Sequence, residues 1–241
     1  RGRYVLIFNG EIYNYRELHG LIPDFSPRTT SDTEILAELW AHKGSDCLQY
    51  LNGMFAFAIF DRVEQSLFCV RDRLGVKPFY YWYDGHEFVF ASEPKAILRH
   101  PRISVCLNLA AFSDYLSLGY VTGRATAFAG IEKLEPGHFI KITSSGLSRV
   151  QYWNLARRIR DGSCRRSDDL ADLLNSAVQY RLISDVPVGS FLSGGIDSSA
   201  ITAMAARSNS ELQTFTIGFR EKSYDESAAA AEFAAGPKLE N

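Results

Sequence analysis

From Tyr4 to Glu93 the apolar residues come in short runs separated by turn residues at regular spacing. The runs "RYVLIFN", "GMFAFAIFD", "SLFCVRD", "PFYYWYDG" and "EFVFASE" are dense in β-branched and aromatic residues and predict strands. Asp61 to Ser66 and Asp84-Gly85 supply the hairpin punctuation. Met54 to Phe60 is apolar at both alternations, which predicts a sheet covered on both faces. One helix interrupts the strands: in "TSDTEILAELWAHKG" the residues Ile35, Leu36, Leu39 and Trp40 share a face, and Gly44 marks the stop. Ser31 with Glu34 three positions later has the form of a capping box. A second helix is predicted over 108–118, and "LEPGHFIKITSSGLSRVQYW" reads as turn, strand, turn and closing strand.

After Trp153 the texture changes. "NLARRIRDGSCRR" is polar and basic, without strong periodicity, and reads as a linker. Ser167 is then expected to cap a helix in which Leu170, Leu173, Leu174, Ala177 and Val178 recur at helical spacing. A strand at 186–192, a helix, the strand "LQTFTIGF" and a further helix follow, which is the rhythm of a parallel α/β sheet. The expected organisation is a β-rich domain over 1–155, a linker over 156–166 and the start of an α/β domain over 167–241. The fold class is α/β overall.

Composition narrows the function classes. Of 241 residues, 46% are hydrophobic and 22% charged, as in a water-soluble globular protein. A net charge of −2 gives no electrostatic case for nucleic acid or an anionic membrane, and the short basic patches at Arg157-Arg158-Ile159-Arg160 and Arg165-Arg166 read as solvated. Cys47, Cys69, Cys106 and Cys164 are scattered with no C-x-x-C pair, which suits a reducing, cytoplasmic setting better than a zinc site or disulfide framework. No membrane span or signal peptide is visible.

"VPVGSFLSGGIDSSA" at 186–200 carries the clearest chemistry. Gly194 and Gly195 permit positive φ and close approach of a ligand to the backbone. Successive N–H groups at a strand-to-helix turn make an anion site, and Ser193, Ser198 and Ser199 add hydroxyl donors. Asp197 would repel a bare phosphate, so it makes sense facing a phosphate-bound Mg²⁺. The loop is neither a Walker A nor G-x-G-x-x-G. In the first half, Asn9-Gly10 after a strand can present a side-chain amide beside a backbone N–H, the equipment of an oxyanion hole. Glu11 and Asp32 are carboxylates that could hold an ammonium, although Asn-Gly is also a hairpin turn and Asp32 also suits a helix N-terminus.

S-G-G-I-D-S-S after a strand resembles the pyrophosphate-loop motif of the ATP-pyrophosphatase superfamily, in which Leu192 and Ile217 would flank the adenosine. "FNGEIYNY" with "TTSDTE" resembles the glutaminase domain of class II glutamine amidotransferases, an N-terminal-nucleophile αββα sandwich. "LNGMFAFAIFD", "RDRLGVKPFYY" and "FASEPKAIL" look like the glutamine-hydrolysing asparagine synthetase branch, and the resemblance runs from about residue 4 to residue 227. It implies that Asn9 and Gly10 stabilise the tetrahedral oxyanion and that Glu11 and Asp32 grip the α-amino group of glutamine. Ammonia would pass to a second site, where ATP with Mg²⁺ adenylates the β-carboxylate of aspartate. Neither nucleic acid nor a membrane is an expected partner, and a homodimer is left open.

The chain departs from that pattern in ways that set expectations. It opens on Arg1 and has no cysteine before Cys47, whereas the family uses an N-terminal Cys; Cys47 is expected to be an inert thiol. The family's arginine loop and second glycine–serine–acid loop are also missing, and "EFAAGPKLEN" leaves the expected pattern after Ser227. The sequence therefore reads as an internal piece of a longer enzyme, inactive and poorly soluble by itself. Competing readings are a β-lactam-synthetase-like or other amidotransferase acting on a different carboxylate, and a non-catalytic glutamine- or nucleotide-binding remnant. The five histidines show no ligand spacing, the aromatic run Phe79–Tyr83 reads as sheet core and edge, and Arg71 and Asp72 are candidates for a buried pair.

Overall fold

A computed structural model describes residues 2–162 and 170–236. The contacts divide the chain into two compact units, Arg1–Gly162 and Ser163–Asn241. The expected Ser167 cap, Cys164 and Arg165-Arg166 lie outside the described residues.

In the first unit the elements run β1 (Tyr4–Ile12), α1 (Tyr15–Leu18), α2 (Asp32–Lys43), β2 (Gly53–Asp61), β3 (Ser66–Arg71), β4 (Tyr80–Tyr83) and β5 (Phe88–Ala91). They continue with α3 (Pro94–Ile97), α4 (Leu109–Leu118), β6 (Ile131–Lys133), β7 (His138–Thr143), β8 (Gly146–Gln151) and α5 (Leu155–Arg160). The last of these is helical within a stretch whose sequence shows no strong periodicity. Asn154 caps it by accepting from Arg157 N at 2.8 Å, and its three arginines are exposed.

Two antiparallel sheets form, β1-β2-β3-β7-β8 and β5-β4-β6. Three separate cores show how the layers stack. Phe55, Phe57 and Ile59 of β2 join Leu36, Leu39 and Trp40 of α2 in one core. The intervening Ala56 and Ala58 point the other way, into a second core with Phe79 and Tyr81. Strand β2 is thus bulky toward the helix layer and small toward the partner sheet, which supplies the volume itself. Tyr80, Trp82 and Val89, on the far face of the second sheet, pack with Ile97 of α3 in a third core. The result is an α-β-β-α stack, as the resemblance implied, and both faces of β2 are covered.

Leu36 and Leu39 are fully buried, each contributing roughly 2 kcal/mol relative to exposure. The box expected at the start of α2 is half realised. Ser31 Oγ accepts from Thr33 N at 3.2 Å, but Glu34 turns away from Ser31 and accepts from Thr29 N and Thr29 Oγ1 at 2.7 and 2.6 Å. The preceding loop competes successfully for that carboxylate, and these bonds hold it below the usual carboxylate range. Arg71 and Asp72 do not bond to each other. Arg71 donates to the carbonyls of Lys77, Leu134 and Gly75, while Asp72 accepts from the N–H groups of Phe55, Leu74, Val76 and Lys77.

The second unit contains α6 (Leu170–Arg181), β9 (Gly189–Phe191), α7 (Ile196–Ser208), β10 (Gln213–Phe215) and α8 (Ser227–Ala235). Strand β9 is shorter than the expected 186–192, and Val186 is exposed outside it. β10 pairs parallel to β9 with Thr214 opposite Ser190, and α7 makes the crossover. Helix α6 packs against α7, but of its expected apolar face only Val178 is buried. No helix among the described residues is long and apolar enough to cross a membrane.

Candidate functional site

The first candidate site forms on β1. Tyr4, Leu6 and Phe8 face the helix-layer core, so Val5, Ile7 and Asn9 fall on the opposite, exposed face. Asn9 Nδ2 donates to Ser92 Oγ at 3.2 Å, just beyond β5. Asp32, first residue of α2, reaches back to β1 and accepts from Ile12 N at 2.8 Å. Asn9, Gly10, Glu11 and Asp32 therefore gather around one end of this strand.

The ladder also orients Gly10. Phe55, its partner on β2, turns both its N–H and its C=O toward Asp72, at 3.3 and 2.8 Å. Opposite Phe55, Gly10 is thus at a non-hydrogen-bonded position of the pair, with its N–H directed away from β2. Ile12 N, two residues on, points the same way, to Asp32. Gly10 has φ +153°, and a Cβ there would stand 2.1 Å from the Met54 carbonyl oxygen, so only glycine fits. Ser92 escaped the sequence reading because nothing local in "FASEP" links it to Asn9; the stacking of the two sheets makes the pair.

The second candidate site lies where β9 meets α7. Leu192 is buried; its N–H donates to Phe215 O at 2.9 Å and its carbonyl accepts from Thr216 Oγ1 at 2.7 Å, tying the two strands together. Of the two glycines only Gly194 takes positive φ, at +80°. Gly195 is extended at φ −74° and occupies the N-cap position of α7, so only one of the two glycines uses the freedom both have. Ser193 Oγ and Ser198 Oγ are 2.9 Å apart, and Ser193 N donates to Ser198 Oγ at 3.2 Å. Ser199 N is satisfied by Gly195 O at 3.0 Å in the first turn. Asp197 sits exposed in that turn. A cavity of about 350 Å³ opens beside this loop, lined by Leu192, Ser193, Ser198 and Ile217. Phe219, Tyr224 and Glu226 complete its wall; they follow Ile217 in a segment whose sequence carries no motif of its own.

Residues 1–153 match the family model described as a glutamine amidotransferase domain. The chain belongs to the glutamine amidotransferase family. The second region, 169–241, matches the family model described as asparagine synthase, and that match runs past Ser227, where the motif-based resemblance stops. It is 38% identical over 247 residues to asparagine synthetase (glutamine-hydrolyzing) 3 of Bacillus subtilis, covering 98% of this chain and 40% of that protein. It is 40% identical to putative asparagine synthetase (glutamine-hydrolyzing) 2 of Methanocaldococcus jannaschii, covering 94% of this chain and 45% of that one. The chain thus spans less than half the length of these curated relatives. Among solved structures it is similar to glutamine phosphoribosylpyrophosphate amidotransferase from B. subtilis at 18% identity and TM-score 0.44, covering 90% of this chain and 47% of that one.

The described cysteines of the chain are all free. Cys47 and Cys69 are fully buried, and burial pushes the Cys47 thiol up to about 12, with Asp46 adding to the shift. Cys47 is therefore an inert core thiol.

Proposed function

We propose that this chain is the glutamine-handling part, and the beginning of the ATP-dependent part, of a glutamine-hydrolysing asparagine synthetase. The whole protein would convert aspartate, ATP and glutamine to asparagine, AMP, pyrophosphate and glutamate in the cytoplasm. The domains would run 1–155 for the glutaminase, 156–166 for the linker and 167–241 for the synthetase portion. The observation that carries this reading is the presence, on one chain, of Asp32 docked against the Asn9–Glu11 strand and of a serine–glycine loop opening on a nucleotide-sized cavity.

At the first site Asn9 Nδ2 and Gly10 N–H would bind the oxyanion formed when a thiolate attacks the glutamine amide. Glu11 and Asp32 would hold the α-ammonium. At the second, the Ser193–Ser199 loop would hold the phosphates while Leu192 and Ile217 flank the adenosine. Asp197 fits a Mg²⁺ carried mainly by phosphate oxygens and water, a role for which a single carboxylate suffices. No group of three potential metal ligands occurs among the described residues. Adenylation makes the aspartate carboxylate reactive: its oxygen takes the AMP group as pyrophosphate leaves, and ammonia then displaces AMP.

Calorimetric titration of the 241-residue chain tests the two sites. Glutamine should bind, and Asp32→Asn should weaken that binding at least about tenfold, the worth of one charge-assisted contact. The reaction is tested on the longest polypeptide expressed from the gene that carries this sequence. Aspartate-dependent release of AMP with ¹⁵N transfer from the glutamine amide is expected, and nitrogen transfer to a different carboxylate would overturn the choice of acceptor.

A further inference from the structure

The cavity beside the serine–glycine loop contains one carboxylate that the fold does not use. Its neighbour Asp225 is used by the fold: Oδ1 accepts from Ser227 N at 3.2 Å and from Phe219 N at 3.4 Å, closing the 219–226 loop onto the start of α8. Hydrogen bonding from Ser227, by its side chain first and then its N–H, holds the Asp225 carboxyl below its ordinary range, with Phe219 N–H assisting. Glu226 occupies the N-cap position of α8, yet its side chain caps nothing. Among the described residues that carboxylate has no hydrogen-bond or ion-pair partner, and it lines the cavity with Ser193 and Ser198.

The placement of α8 says which part of a nucleotide Glu226 would meet. The helix lies directly against the loop: a Cβ on Gly194 would stand 2.8 Å from Ala229 Cβ and 3.0 Å from Ala230 N. Ala230 N in turn donates to Glu226 O at 3.1 Å, so Glu226 stands one helical turn, about 5 Å, before the contact with the phosphate loop. With phosphates on the Gly194 segment, the group next along a nucleotide is the sugar, and the base lies beyond it. Phe219 and Tyr224 on the same wall offer the rings against which a base would lie. A carboxylate is an acceptor only, and two neighbouring hydroxyls are the donors that complement it.

We propose that Glu226 accepts hydrogen bonds from the ribose hydroxyls of the bound nucleotide and makes this site selective for ribonucleotides. The inference rests on the nucleotide reading of the serine–glycine loop. The recognition is chemically the same as an acidic residue reading the ribose in dinucleotide sites, here built at the start of a helix.

The test is equilibrium binding of ATP, 2′-deoxy-ATP and pyrophosphate to the longest polypeptide expressed from the gene that carries this sequence and to its Glu226→Ala variant. ATP should bind the unmodified chain about tenfold more tightly than 2′-deoxy-ATP, the effect of one lost charge-assisted hydrogen bond. The variant should bind the two nucleotides equally, no more tightly than the unmodified chain binds 2′-deoxy-ATP, and keep its affinity for pyrophosphate. Equal binding of the two nucleotides by the unmodified chain, or a preference that survives in the variant, overturns the ribose assignment while leaving the nucleotide site standing. Loss of pyrophosphate binding in the variant also overturns it, because the carboxylate would then be supporting the loop. If neither ATP nor pyrophosphate binds the unmodified chain, the nucleotide reading itself fails.

Discussion

Asp72 shows how much a single buried carboxylate can organise. It is 1% exposed and accepts four backbone N–H groups, fixing the 72–77 turn and the end of β2 opposite Gly10. Asp72→Ala would leave the buried Phe55 N–H and three part-buried donors without their acceptor, and we expect a loss of about 3 kcal/mol in urea-induced unfolding. Unfolding at wild-type denaturant concentration would contradict that role. Asp61 is the acid-sensitive counterpart. The Arg3 guanidinium, at 2.6 Å, holds its carboxyl down to about 2, with the N–H groups of Glu64 and Val63 assisting. The folded value lies below the unfolded value of about 4, so this stabilisation is complete above pH 4 and is lost as pH falls toward 2. Arg3→Ala should flatten the decline in stability across that window, read by denaturation at a series of pH values.

At the scale of elements, β1 and α2 together form the proposed glutamine site. The alternation in β1 puts Asn9 on the exposed face, and Ser31 caps α2 so that Asp32 meets Ile12. Gly10→Ala would drive a methyl group into the Met54 carbonyl at a φ that L residues rarely adopt. It should cost at least about 2 kcal/mol and abolish glutamine binding. Leu39→Ala acts elsewhere in the same layer. Fully buried between helix and sheet, Leu39 should cost about 2–5 kcal/mol when truncated, while the surviving folded protein binds glutamine normally. A Leu39→Ala protein that is stable but has lost glutamine would show that the helix layer positions Asp32 more delicately than its contacts suggest.

For the whole molecule, the edges matter as much as the cores. β1 closes one side of the five-stranded sheet, and Val5 and Ile7 on it are 41% and 61% exposed. An unpaired edge with exposed apolar residues is a template for association. The 241-residue chain should therefore aggregate at concentrations where a Val5→Lys, Ile7→Lys variant stays monomeric, as read by light scattering. The same chain should bind glutamine without releasing ammonia. Cys47, buried with its thiol pushed up to about 12, cannot supply the nucleophile. Ammonia release above background would refute this.

Much of this was written locally. The alternation of β2, the apolar face of α2, the turn residues at Asp61–Ser66 and the S-G-G-I-D-S-S run each depend on neighbours a few positions away, so the sequence by itself determined the strands, the helix and the loop that carry the candidate chemistry. Tertiary structure decided what those elements meet. Ser92 reaches Asn9 across 83 positions only because two sheets stack. Glu34 leaves the cap for the Thr29 loop, and Arg71 turns from Asp72 to three carbonyls, because polar groups near a core take whichever partners the packing brings within reach. Glu226 is the same lesson at the second candidate site: its place beside the serine–glycine loop follows from α8 lying against Gly194, a contact no local pattern encodes.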